Sequence, residues 1–131
     1  MRSIFVAFTL FIGLSIILVA CSGAGTPTPI PAASGAQISL TTNPNPAKSG
    51  SVELMVQVAD AGGQPITDAE VFVFADHTTM GGMSMQGRAT AQGGGRYATT
   101  ADFSMAGTWK VSVQVRKSPL NITQEFELDL K

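Results

Sequence analysis

From Gln37 onward the chain alternates apolar and polar residues with a period of two, the pattern of strands with one buried and one solvated face. Residues 37–41 form a first short run, stopped by Asn43-Pro44-Asn45-Pro46. Over 51–59, Val52, Leu54, Val56 and Val58 share one face, and Glu53, Met55 and Gln57 share the other. Residues 60–65 read as a turn. Residues 69–74 are the next strand, with either Val71 and Val73 or Phe72 and Phe74 facing inward. Gly93-Gly94-Gly95 is a second turn, followed by a strand over 97–103. Trp109, Val111, Val113 and Val115 then alternate with Lys110, Ser112, Gln114 and Arg116. After a break at Pro119, Ile122, Phe126, Leu128 and Leu130 close the domain, with Glu125, Glu127 and Asp129 outward. No segment carries a helical 3.6-residue period. The pattern predicts an all-β fold over 37–131, an immunoglobulin-like antiparallel β-sandwich of about seven strands, with a small barrel as the alternative. Tyr97 and Trp109 read as core aromatics.

The first twenty residues follow another rule. Arg2 precedes a nearly continuous apolar run over 4–19, shorter than the roughly 20 residues of a spanning helix. A basic start, a short apolar core and a small-residue exit make a secretory signal peptide over 1–20. Its exit, Leu18-Val19-Ala20-Cys21, resembles the bacterial lipobox. That resemblance implies cleavage before Cys21 and lipidation of its thiol, with acyl chains holding the protein at about 0.8 kcal/mol per buried CH2. Residue 22 is Ser, so the Asp that retains such proteins at the inner membrane is missing. The expected location is lipid-anchored on the cell membrane or outer membrane, facing the periplasm or exterior. Residues 21–36, with Pro27, Pro29 and Pro31 among Gly, Ala, Ser and Thr, read as a disordered linker spacing the domain from the lipid.

Composition narrows the function. The roughly 95 residues beyond the linker suffice for one domain. Charged residues make up 13% of the chain and the net charge is -1, with no basic run, so nucleic acid is not an expected partner. The one cysteine falls at the predicted cleavage site, so the domain stands without a disulfide. One histidine, no phosphate-binding loop and no carboxylate pair in a glycine-framed cleft argue against an enzyme. Asn121-Ile122-Thr123 matches a glycosylation sequence, which beside a bacterial lipobox reads as chance.

The stretch from Asp76 to Gly87 does not fit a strand pattern. It holds His77, the only histidine, and Met80, Met83 and Met85, three of six methionines, among Gly81, Gly82 and Gly87. A surface loop is expected to be polar, so three methionines in six residues need a reason. Thioethers are soft, neutral donors suited to copper(I), and imidazole also suits copper. In that reading Met80, Met83 and Met85 converge on one ion, with His77 or Met105 as a further ligand. Zinc fits poorly, since it takes thiolate, imidazole or carboxylate. Two other readings compete. The methionines can cap the open end of the sandwich as flexible filler, or they can line a surface for a protein partner.

Met80-Gly81-Gly82-Met83-Ser84-Met85, then Gly95-Arg96-Tyr97, then Met105-Ala106-Gly107-Thr108-Trp109 resemble the YtkA-like family and the related FixH-like domains. Asn43-Pro44-Asn45-Pro46 and Gly63-Gln64-Pro65 fit the same pattern, and the resemblance spans roughly residues 37–117. It implies an immunoglobulin-like sandwich in the cell envelope, in settings of copper handling or respiratory oxidase assembly. It also implies copper ligation by Met80, Met83 and Met85. The expectation is a lipid-anchored module that binds or delivers copper(I) to an envelope metal-handling or respiratory protein. The alternative is a metal-free module docking onto an envelope complex.

Overall fold

The computed structural model describes residues 27–30 and 35–131. The stretch read as a signal peptide, Cys21 and most of the stretch read as linker lie outside the described residues. Eight strands follow in order: β1 (Thr28–Ile30), β2 (Ala36–Asn43), β3 (Gly50–Asp60), β4 (Glu70–His77), β5 (Ser84–Gly93), β6 (Arg96–Phe103), β7 (Gly107–Lys117) and β8 (Leu120–Leu130). Every pairing is antiparallel, and no helix occurs among the described residues.

The strands form one hydrogen-bonded run, β1-β8-β7-β4-β5-β6-β3-β2. β5 turns that run into a sandwich. Its first half, Ser84 to Ala89, pairs with β4. Its second half, Thr90 to Gly93, pairs with β6, with a register shift between Ala91 and Gly93. One layer is therefore β1, β8, β7, β4 and the start of β5, and the other is the end of β5, β6, β3 and β2. Beyond β2 and β8 the chain closes the far side: Ser49 N–H donates to Lys131 O, and Lys131 N–H donates to Ala47 O.

The core lies between the layers and follows the alternation in the sequence. Val52, Leu54, Val56 and Val58 of β3 are buried, as are Val111, Val113 and Val115 of β7. β3 and β7 are each flanked by strands on both sides. Burying one such side chain contributes about 1.5–3 kcal/mol. In β4, Val71, Val73 and Ala75 face inward, which resolves the open parity and turns Phe72 and Phe74 outward. Trp109 and Tyr97 are buried, as expected.

Two elements depart from the sequence reading. Thr28–Ile30, within the expected linker, adds a three-residue edge strand to β8, pairing Thr28 with Glu127 and Ile30 with Glu125. An edge strand tolerates Pro29 because it needs hydrogen bonds on one side only. The Asp76–Gly87 stretch is not one loop: β4 runs to His77 and β5 starts at Ser84, leaving a short hairpin connection between them. The described residues thus hold eight strands where about seven were expected.

Tyr97 ties the two layers together at the end opposite the methionines. Its hydroxyl donates to Ile66 O at 2.8 Å and accepts from Ala69 N–H at 3.0 Å, pinning the β3–β4 connection to β6. At the same end Lys117 holds the Asp68 carboxyl below its usual range by hydrogen bonding and charge. Tyr97→Phe leaves the Ile66 carbonyl and Ala69 amide without this partner. Urea unfolding of this variant should show a loss of about 1–3 kcal/mol with an unchanged slope.

Candidate functional site

The β4–β5 hairpin, the β6–β7 connection and the start of β7 meet at one end of the sandwich. Register builds this end: His77 at the close of β4 lies opposite Trp109, two residues into β7. The hairpin is fastened at its base. His77 N–H donates to Met83 O at 3.0 Å, while the Thr78 amide and hydroxyl both donate to Thr108 O, at 3.0 and 2.9 Å. Gly82, at φ +88°, supplies the left-handed residue that the turn before Met83 requires.

His77 is held rather than free. Its ring meets Trp109 edge to face at 5.0 Å, and Trp109 meets Phe103 in the same way at 5.0 Å. Nδ1 accepts the Thr79 amide at 3.3 Å, which leaves the proton on Nε2, 3.4 Å from Ala106 O. Trp109 Nε1–H donates to Met105 O at 3.3 Å. Gly107, at φ +127°, gives the ring its room, since a Cβ there would lie 2.7 Å from His77 Nε2.

The methionines divide by position. Met80 sits at the hairpin tip and is 48% exposed. Met83 and Met85 are half-buried and pack against the core. Met85 is the second residue of β5, and Met83 immediately precedes the strand. Met85 reaches into the seam where β5 parts from β6, a cavity of about 20 Å³ that it lines with Leu54, Ala75, Gly87 and Ala101. Met105, in the β6–β7 connection, also packs against the core. His77, Met83, Met85 and Met105 therefore share one end of the sandwich, with Met80 standing out from it.

This end offers one imidazole and up to four thioethers. Among the described residues, no three His, Cys, Asp or Glu side chains come together, so the donor set is soft. A carboxylate, Asp76, lies nearby and exposed, opposite Lys110 in the ladder with β7.

Comparison with known proteins bears on the fold and the family. A family model described as YtkA-like matches residues 31–114. The soluble domain of PmoD from Methylocystis sp. (Rockwell) superposes with a TM-score of 0.51 at 10% sequence identity, covering 79% of this chain and 97% of that one. At that identity the likeness is one of fold. No curated protein sequence matches the chain.

The packing of His77 against Gly107 is directly testable. In Gly107→Ala the new methyl strains the backbone and drives the ring off Trp109, at a cost of about 1–3 kcal/mol. Trp fluorescence should shift, and adding His77→Ala should recover part of the loss. Full additivity of the two substitutions would mean that the ring and residue 107 do not touch.

Proposed function

We propose, from the premise that this chain belongs to the YtkA-like family, that it is a non-enzymatic envelope module whose methionine end carries copper(I) as cargo. In this reading Cys21 bears the lipid anchor, and the sandwich faces the periplasm or exterior. The observation that carries the copper assignment is the gathering of Met83, Met85, Met105 and His77 at one end, beside the hairpin that bears Met80.

Copper(I) suits this donor set. Its charge is single, and neutral thioethers bind it without bringing a second buried charge into apolar surroundings. Met85 supplies a fixed base because it stands on β5, and Met83, just before the strand, is held through its carbonyl by His77 N–H. Met80 closes over the ion from the hairpin tip, hinged at Gly81 and Gly82. His77 joins only if its ring gives up the Thr79 amide or the Ala106 carbonyl, so the thioethers are the primary ligands. Such weak ligands let the ion pass to a partner that holds it more tightly.

A metal-free reading draws support from the half-burial of Met83 and Met85, because methionine fills irregular gaps at the open end of a core. In that case the module acts only by docking onto an envelope complex.

Copper(I) titration of the full chain in detergent, against a competing chelator, separates the readings. The expected result is one equivalent bound with a dissociation constant of about 1 μM or tighter, near -8 kcal/mol. Met80→Ala/Met83→Ala/Met85→Ala should weaken it by about 100-fold, close to 3 kcal/mol. Met55→Ala, on an exposed thioether of β3, should leave it unchanged. Binding no stronger than a buffer control, with an intact circular dichroism spectrum, removes copper and leaves the docking module.

A further inference from the structure

We propose that the outer face of β5, β4 and β7 is a docking groove for an acidic segment of a partner protein in the envelope. This inference stands whether or not the methionine end binds metal.

Phe72 and Phe74 project from the solvent side of β4, where alternation would place polar residues. Around them lie Gln86 and Arg88 of β5 and Gln114 and Arg116 of β7, enclosing a groove of about 380 Å³. The two guanidinium groups stand over the Phe72 ring, with Cζ at 5.9 Å from its centroid for Arg88 and 5.5 Å for Arg116. Both therefore lie within about 11 Å of each other, a span that two carboxylates of one short peptide can bridge. Arginine recognises carboxylate with a planar two-pronged fork, and it is enriched with aromatics at the centres of protein interfaces.

The charges are available. Arg116 has no ion pair among the described residues. Arg88 bonds Glu70 at 2.9 Å, but the two side chains are 64% and 54% exposed, so that pair exchanges for an incoming carboxylate at little cost. The groove's lining holds two arginines and no carboxylate, with Glu70 at its end, opposite Arg116 in the ladder and bonded to Arg88, so an incoming carboxylate is recognised at short range by the arginines. Gln86 and Gln114 supply amide donors and acceptors that match a peptide backbone. Two arginines on a net-negative chain are too few to hold a lipid surface, where stable attachment takes stronger or additional signals.

The probe is a fluorescein-labelled peptide, Gly-Glu-Leu-Leu-Glu-Gly, titrated into the full chain in neutral detergent and compared with its Gly-Lys-Leu-Leu-Lys-Gly counterpart. The acidic peptide should bind about tenfold or more tightly than the basic one, and weaken as salt shortens the Debye length from about 30 Å to 10 Å. Arg116→Gln and Phe72→Thr should each weaken it about threefold or more, with circular dichroism unchanged. Both substitutions are on the solvent face, and Thr is a good strand residue. Met83→Ala should leave peptide binding intact, which keeps this result independent of the copper titration. Equal affinity for the two peptides overturns the proposal. So does acidic-peptide binding that survives Phe72→Thr/Arg116→Gln, or a preference for anionic vesicles over the peptide.

Discussion

A strand hydrogen-bonded along one half to β4 and along the other to β6 must leave one layer and enter the next. β5 does this with small residues. Gly87 passes so close to β6 that a Cβ there would meet Thr99 Oγ1 at 3.1 Å, and Ala89 is buried just before the change of partner. The crossing joins the two layers by a continuous main chain. It also opens a seam, because the start of β5 and the end of β6 no longer pair. Met85 stands in that seam. The soft end of the molecule is thus a consequence of how the sandwich is closed, and the other methionines gather where β4 and β5 begin their hairpin beside it.

The same geometry explains what the sequence disclosed. β3, β7 and β8 were legible because Val, Leu, Ile and Phe recur at nearly every second residue, with mostly polar residues between, Gln124 being the one inward exception in β8. β5 was not. Its inward positions are Met85, Gly87 and Ala89, which carry little apolar mass and no β-branched signal, and three glycines nearby suggested a loop. β1 was hidden by prolines that only an edge strand accepts. The parity of β4 was ambiguous because both of its faces are apolar. Packing decided it, since Val71, Val73 and Ala75 sit opposite the inward residues of β5 and β7. That decision is what exposes Phe72 and Phe74, so the groove could not be read from the chain alone.

At the methionine end, the sequence pattern assigned the candidate residues to a single loop. The structure sorts them instead by what holds each one. Thr79, Ala106, Gly107 and Trp109 surround the His77 ring, an arrangement that fixes its orientation and occupies both nitrogens. No spacing rule signals this, because residue 107 lies thirty positions further along the chain and contributes only the absence of a side chain. The Gly-x-Trp portion of the family pattern therefore has a physical meaning here. The glycine admits the imidazole, and the tryptophan two residues later supplies the surface against which it rests.

The two candidate surfaces are not remote from each other. Phe74 and Gln86 line the groove, and with Asp76, Ser84 and Met85 they also line the adjoining recess toward the methionine end. Alternation along β5 accounts for this: Gln86 points to the outer face, while its neighbours Met85 and Gly87 turn toward the seam. A segment bound over Phe72 and Phe74 would therefore lie across the same strand whose inner face carries Met85. The groove and the methionine end thus lie on opposite faces of one strand, built by the same alternation of side chains.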